Sequence, residues 1–249
     1  MNDRWPYLAL HLLLTLLLST APGCRRTARK GTFKDRPDGL TGGTLIFSDD
    51  FDRSELNPDP AHPRWKTPTN RWKIENNALH NAWDQNGGAW WTGRLPRRVR
   101  VEFTAWSANP PNWLPCQRHP QPQKGKREPS FQGDLKFEIF NNEAKHATGY
   151  SCVYGGWLNQ TMMIGRLGEH APAQRVYLPN AEFARRRVQP GRKYRMKIVR
   201  TDNVLRWYID DSPNAVLVFA DSAALNGPWF GFNNWCAHVY FDDLKIYRL

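Results

Sequence analysis

Alternation of apolar and polar residues with a period of two runs through most of this chain and leaves little room for helix. Residues 98–106 (RVRVEFTAW) put Val99, Val101, Phe103 and Ala105 on one face, with Arg100, Glu102, Thr104 and Trp106 on the other. Residues 134–140 (DLKFEIF) repeat the pattern: Leu135, Phe137 and Ile139 against Asp134, Lys136, Glu138 and Phe140. This is the period of a strand with one buried face. Similar short runs cover 44–48, 71–75, 78–82, 89–93, 149–154, 161–167, 193–200, 204–210, 215–219, 229–233 and 238–248. Turn residues separate them: Asn76-Asn77 inside one hairpin and Asp202-Asn203 inside another. Residues 180–187 offer one or two helical turns. About a dozen short strands predict an all-β chain, an antiparallel β-sandwich.

The segment 107–132 breaks this rhythm with six prolines and no strand pattern. A loop of that length carries function or lacks order. It joins the two best-patterned strands and is expected to arch over one edge of a sheet.

The N-terminus points to export. An apolar run from about Tyr7 to Leu18 is too short for a comfortable membrane span and reads as the core of a signal peptide. It ends in Ala21-Pro22-Gly23-Cys24, which resembles the lipobox of bacterial lipoproteins, where the cysteine carries lipid. That resemblance implies a signal peptide over 1–23, a lipid-anchored tether over 24–43 and a folded domain over 44–249. Cys24 is then the lipidation site, and the protein is an anchored component of the cell envelope. Without lipidation it is secreted.

The chain carries a formal net charge of +12, and removal of 1–23 takes away one Arg and one Asp, leaving it unchanged. Outside the cytoplasm such a surface suits an acidic polysaccharide or anionic lipid and not nucleic acid; a merely solvated basic surface is the plain alternative. With Cys24 lipidated, Cys116, Cys152 and Cys236 allow one bridge, and Cys152–Cys236 is the preferred pair. No Cys or His spacing suggests a metal, and no cofactor is implied. Oligomeric state is not legible.

Three stretches together resemble the concanavalin A-like lectin/glucanase superfamily, particularly laminin-G-like and 3-keto-disaccharide hydrolase-like domains. They are Phe47-Ser48-Asp49-Asp50-Phe51-Asp52 with Trp72–Leu79, then Gly133–Glu138, then Val239–Tyr247. The resemblance implies a jelly roll over residues 44–249 whose first and last strands pair. Glucanases of the superfamily carry Glu-x-Asp-x-x-Glu or Glu-x-Asp-x-Glu on one strand. Here the region reads Gly133-Asp134-Leu135-Lys136-Phe137-Glu138, so the first Glu is missing and no catalytic pair is carried over.

Candidate site residues follow from their chemistry. Glu102 and Glu138 face outward on good strands and, if those strands are neighbours, form the carboxylate pair that glycoside hydrolysis needs. Lys136, between Asp134 and Glu138, equally suits a salt-bridge network. Gly155-Gly156 permits a sharp turn that presents Trp157 and Asn159. Arg166, Glu169 and His170 leave one strand together; His170 is a candidate acid or base and Arg166 a binder of carboxylate or sulfate. Phe232-Asn233-Asn234-Trp235 is a polar-aromatic turn of the type that contacts sugar hydroxyls, with Asn234 and Trp235 as its candidate binding residues. The twelve tryptophans suit sugar stacking and sandwich cores alike. Three functions remain open: a carbohydrate-binding protein, a hydrolase or lyase acting on an acidic or modified glycan, and a non-catalytic envelope interaction domain.

Overall fold

The structure, a computed structural model, describes residues 40–82, 84–108, 133–171 and 174–249. Two antiparallel sheets face each other. The first contains β1 (Thr44–Asp49), β3 (Lys73–Ile74), β4 (Leu79–Ala82), β6 (Val99–Ser107), β11 (Tyr194–Thr201), β12 (Val204–Ile209), β13 (Leu217–Ala220) and β15 (His238–Arg248). The second contains β2 (Trp65–Lys66), β5 (Ala89–Trp91), β7 (Leu135–Asn141), β8 (Tyr150–Gly155), β9 (Thr161–Arg166), β10 (Arg175–Tyr177) and β14 (Trp229–Asn233). Strand order is β13-β12-β11-β6-β15-β4-β3 in the first, with β1 also on β15, and β10-β9-β8-β7-β14-β5-β2 in the second. This is the expected jelly-roll sandwich, and the first and last strands pair from Thr44↔Arg248 to Asp49↔Leu244.

The alternation fills the core as read. Val101, Phe103 and Ala105 of β6 face Phe137 and Ile139 of β7 and Phe230 and Phe232 of β14 in one apolar cluster. Phe103 meets Phe137 and Phe232 edge-on, with centroids 5.1 Å apart in each case. Trp65, Trp72, Trp91 and Trp207 are core residues. Both hairpin turns form: Asn76 and Asn77 sit at φ 54°, and Asp202 at φ 54° closes the pairing Thr201↔Val204. Asn and Asp tolerate that left-handed backbone. The helical turn appears as α2 (Asn180–Ala184), and a single turn, α1, spans Gly156–Asn159. The proline-rich loop, from residue 109 to 132, and Cys24 lie outside the described residues.

The expected bridge does not form. Cys152 is a buried free thiol on the inner side of β8, inside the apolar cluster. Cys236 is disulfide-bonded, and Cys152 is not its partner. Alternation explains the difference. Cys152 pairs in register with Phe137 and Ile164, both core residues, whereas Cys236 lies beyond the end of β14, its N–H bonded to the Asp84 carbonyl at 2.7 Å.

Candidate functional site

On a sandwich, outward strand residues ordinarily meet water. On β7 they do not: all seven residues are buried, including the outward-pointing Lys136 and Glu138. The register places them in two rows across the outer face of the second sheet. One row runs Trp90, Gly231, Glu138, Ser151, Gly165, Arg175. The other runs Asn233, Lys136, Val153, Met163, Tyr177. Neighbouring strands lie about 4.8 Å apart, so roughly 14 Å separates the backbone at Glu138 from that at Arg175. Ser151, Gly165 and Gly231 keep this row low. A Cβ at Gly231 would meet Trp90 Cε3 at 2.5 Å, so the Trp90 ring lies directly over that glycine.

Glu138 is held by four donors. Its Oε1 accepts from His146 Nδ1 at 2.5 Å and Asn233 Nδ2 at 2.6 Å; its Oε2 accepts from Asn141 Nδ2 at 2.7 Å and the Ala147 N–H at 3.1 Å. Burial pushes its pKa up, but the His146 hydrogen bond, the Lys136 charge and the Asn141 bond outweigh it and hold the carboxyl below its usual range. Lys136 donates from Nζ to Asn86 Oδ1 at 2.6 Å and pairs with Glu169. Burial opposes its charge, yet Glu169, then Asp134 and Glu138, keep it protonated above its ordinary value. His146 Nε2 faces Glu169 Oε1 at 3.7 Å.

Asp134 differs. It starts the polar edge of β7 in a left-handed backbone (φ 49°), its N–H on the Gly155 carbonyl at 3.0 Å and its Oδ2 accepting the Trp235 N–H. Burial dominates, Glu169 adds repulsion, and Lys136 and the Trp235 N–H compensate only partly, so its pKa is pushed up to about 7. One strand face therefore carries a neutral-leaning and an ionised carboxyl.

At the β10 edge the same face opens. A cleft of about 420 Å³ is lined by Trp157, Gln160, Arg175, Tyr177, Asn180 and Arg187, among others. Trp157 and Tyr177 are 42% and 41% exposed. Trp157 is displayed by an unusual backbone: Trp157, Leu158 and Asn159 have φ of 50°, 59° and 59°. For Trp157 and Leu158 this backbone costs roughly 1–2 kcal/mol per residue, whereas asparagine tolerates it. The Asn159 amide holds the turn, donating to the Val188 carbonyl at 2.8 Å and accepting its N–H at 3.0 Å. The Arg175 guanidinium lies 4.9 Å above the Tyr177 ring and donates to the Glu169 carbonyl, while its buried Nε makes no hydrogen bond among the described residues. The open edge and the buried centre thus touch at Glu169.

Several sequence candidates take other places. Glu102 lies on β6 in the first sheet, so it and Glu138 point out of opposite sides of the sandwich and form no pair. Glu102 instead pairs with Arg100 Nε at 2.8 Å and Lys197 Nζ at 3.7 Å. His170 is exposed, edge-on to Trp157 with centroids 5.9 Å apart, and no hydrogen bond joins it to the Glu138 cluster. Arg166 binds Asp221 Oδ2 at 2.9 Å and the Ala223 carbonyl at 3.1 Å. The Asn234 amide is spent on Asn81 at 2.7 Å and on both backbone groups of Ala237. Asp134, Glu138 and Glu169 do share one face; Trp157 is at its open edge, and Trp235, 41% exposed, follows the Asp134 contact. The sequence did not single out His146, Asn86, Arg175, Tyr177 or Arg187 as site residues; Asn233, part of the polar-aromatic turn it did single out, donates to Glu138. Among the described residues no group of three or more His, Cys, Asp or Glu is arranged to hold a metal ion.

No family model matches the chain, and no curated protein matches it. Solved structures do. The carbohydrate-binding module CBM66 from Bacillus subtilis aligns at a TM-score of 0.52 and 13% identity, over 74% of this chain and 96% of the module. β-Agarase A from Zobellia galactanivorans aligns at 0.52 and 11%, over 83% and 92%. A laminarinase from Flavobacterium sp. UMI-01 aligns at 0.51 and 11%, over 82% and 100%. The chain shares their jelly-roll fold. At such identities the likeness extends to fold alone, and a fold hosts many functions.

Proposed function

We propose that this protein is an exported glycan-binding protein, anchored by lipid on Cys24, that holds an acidic polysaccharide along the outer face of its second sheet. The observation that carries the reading is the cleft at the β10 edge, lined by the exposed rings of Trp157 and Tyr177 together with Arg175, Arg187, Gln160 and Asn180. Flat aromatic faces stack on the C–H faces of sugars, and guanidinium groups bind carboxylate or sulfate in pairs of hydrogen bonds. The strained turn under Trp157 supports a binding role, because such a backbone persists where the surroundings hold it for a purpose. The fold shared with a carbohydrate-binding module and two glycan hydrolases agrees with this reading.

The test is titration with neutral, uronate-containing and sulfated oligosaccharides at two salt concentrations. Trp157→Ala is expected to weaken binding about tenfold or more, a stacked ring being worth roughly 1.5 kcal/mol beyond its area, at both salts and without unfolding. Affinity for the anionic ligands is expected to fall with salt, since exposed charges are screened beyond about 8 Å at physiological ionic strength. Binding that ignores Trp157, or no binding at low salt, contradicts the proposal.

Anchoring has its own test. Cys24→Ser is expected to abolish lipid labelling and release the protein from membranes, because one cysteine carries the whole acyl anchor. Membrane retention of the variant, with no lipid label on the wild type, contradicts it.

A further inference from the structure

We propose that His146, held by Glu138, is the base of a catalytic site on this face, and that the protein cleaves uronate-containing glycans by β-elimination. The inference rests on the reading of the face as a site for an anionic glycan, and adds chemistry to it.

The carboxyl groups are poorly placed to attack or protonate a sugar. Both oxygens of Glu138 are occupied by four donors, and Asp134 is buried with Oδ2 on the Trp235 N–H. A carboxylate committed in this way orients its neighbour. It accepts the Nδ1–H hydrogen bond of His146 at 2.5 Å and so leaves the lone pair on Nε2. Among the described residues Nε2 makes no hydrogen bond; its nearest acidic oxygen is Glu169 Oε1 at 3.7 Å. The imidazole is also the most open member of the cluster, with its side chain 20% exposed against 11% for Glu169 and none for Glu138 and Lys136. A carboxylate-oriented imidazole with its far nitrogen open is suited to proton abstraction.

An imidazole base reaches a carbon acid only when the neighbouring carboxylate is neutralised. Arg175 supplies that charge. It lies in the Glu138 row and donates to the Glu169 carbonyl. It also lines the cleft in which the glycan is proposed to lie. In the step, Nε2 takes the proton from the carbon α to the uronate carboxylate. The released pair forms a double bond to the β carbon. The bond from that carbon to the glycosidic oxygen breaks, and the oxygen leaves with its pair. The imidazolium returns the proton to that oxygen. No water, oxidant or metal is consumed.

The experiment measures binding and cleavage separately on the same probes: alginate, polygalacturonate and hyaluronan. Binding is read by calorimetry, and cleavage by the ultraviolet absorbance of the unsaturated uronate end. The wild type is expected to bind and to generate that absorbance on at least one probe. His146→Ala is expected to lower the rate by about 100-fold or more with affinity changed by less than about threefold. His146→Gln serves as the second variant if the alanine form misfolds. Glu138→Gln is expected to displace the pH profile as well as lower the rate, which loss of packing alone would not do. Binding without unsaturated product overturns the elimination and leaves the binding reading intact. Product formed at the wild-type rate by His146→Ala overturns the assignment of the base. Absence of both binding and product overturns both proposals.

Discussion

Replacing Lys136 by methionine is expected to destabilise the protein by about 3–5 kcal/mol, the usual loss when one partner of a buried ion pair is removed. Methionine nearly matches the stem in volume, so the loss comes from charge. Lys136 is fully buried, and its Nζ holds Glu169 and Asn86 Oδ1 and lies near Asp134 and Glu138. Without it Glu169 keeps a nearly buried carboxylate that has lost its direct ammonium partner. For a domain of this size the midpoint of thermal unfolding should fall by roughly 6–20 °C. Lys197→Met is the control. Lys197 pairs with Glu102 at 3.7 Å on the outer face of the first sheet, with its side chain 24% exposed. Its loss should cost no more than about 1 kcal/mol. Equal losses for the two variants would show that the buried cluster is not held by Lys136.

Asp134→Asn is expected to change the pH dependence of stability. The folded carboxyl, pushed up to about 7 by burial, lies above the ordinary aspartate value of 3.8. Between those values the folded state keeps a proton that the unfolded chain has lost, so wild-type stability from this group falls as pH rises from about 4 to 7. The shift corresponds to a penalty on the order of 4 kcal/mol once the group is ionised. Asparagine resembles the neutral acid at every pH and still accepts the Trp235 N–H. The variant should therefore match the wild type near pH 4 and exceed it above pH 7, by thermal midpoints across that range. A constant difference from pH 4 to 8 would contradict the assignment of this carboxyl.

The fold was largely legible because its strands have one apolar face. The alternation in β6, β7, β11 and β15 is long enough to set each residue's side, and the Asn and Asp turns mark the hairpins. Two strands escaped notice. β2 has two residues and β10 has three, too few for a period of two to register. The second omission mattered, since β10 carries Arg175 and Tyr177.

The site was legible in part for a related reason. Alternation assigns Glu102 and Glu138 to the polar sides of their own strands and says nothing of which sheet each strand joins. Here β6 and β7 join different sheets, and the two carboxylates point away from each other. Likewise, Asn159 and Asn234 have the side chains that sugar hydroxyls prefer, but backbone groups prefer them too, and Val188 and Ala237 take them. His146 lies in the turn between β7 and β8, where no periodicity says that it folds back onto Glu138. His170 drew attention by proximity to Glu169 in sequence, and the chain then turns it outward to Trp157.

The account's central claim is that a glycan lies on the outer face of the second sheet, entering over Trp157 and Tyr177. It is tested most directly by nuclear magnetic resonance of the tryptophan indole N–H groups during titration with a uronate oligosaccharide. The account predicts a saturable shift of the Trp157 signal, lost in Tyr177→Ala at the same ligand concentration, while the Trp106 signal stays still. Trp106 is the internal reference because it stacks on Tyr240 at 5.0 Å on the outer face of the first sheet. Saturable shifts at Trp106 with none at Trp157 would place the glycan on the opposite face and contradict the account.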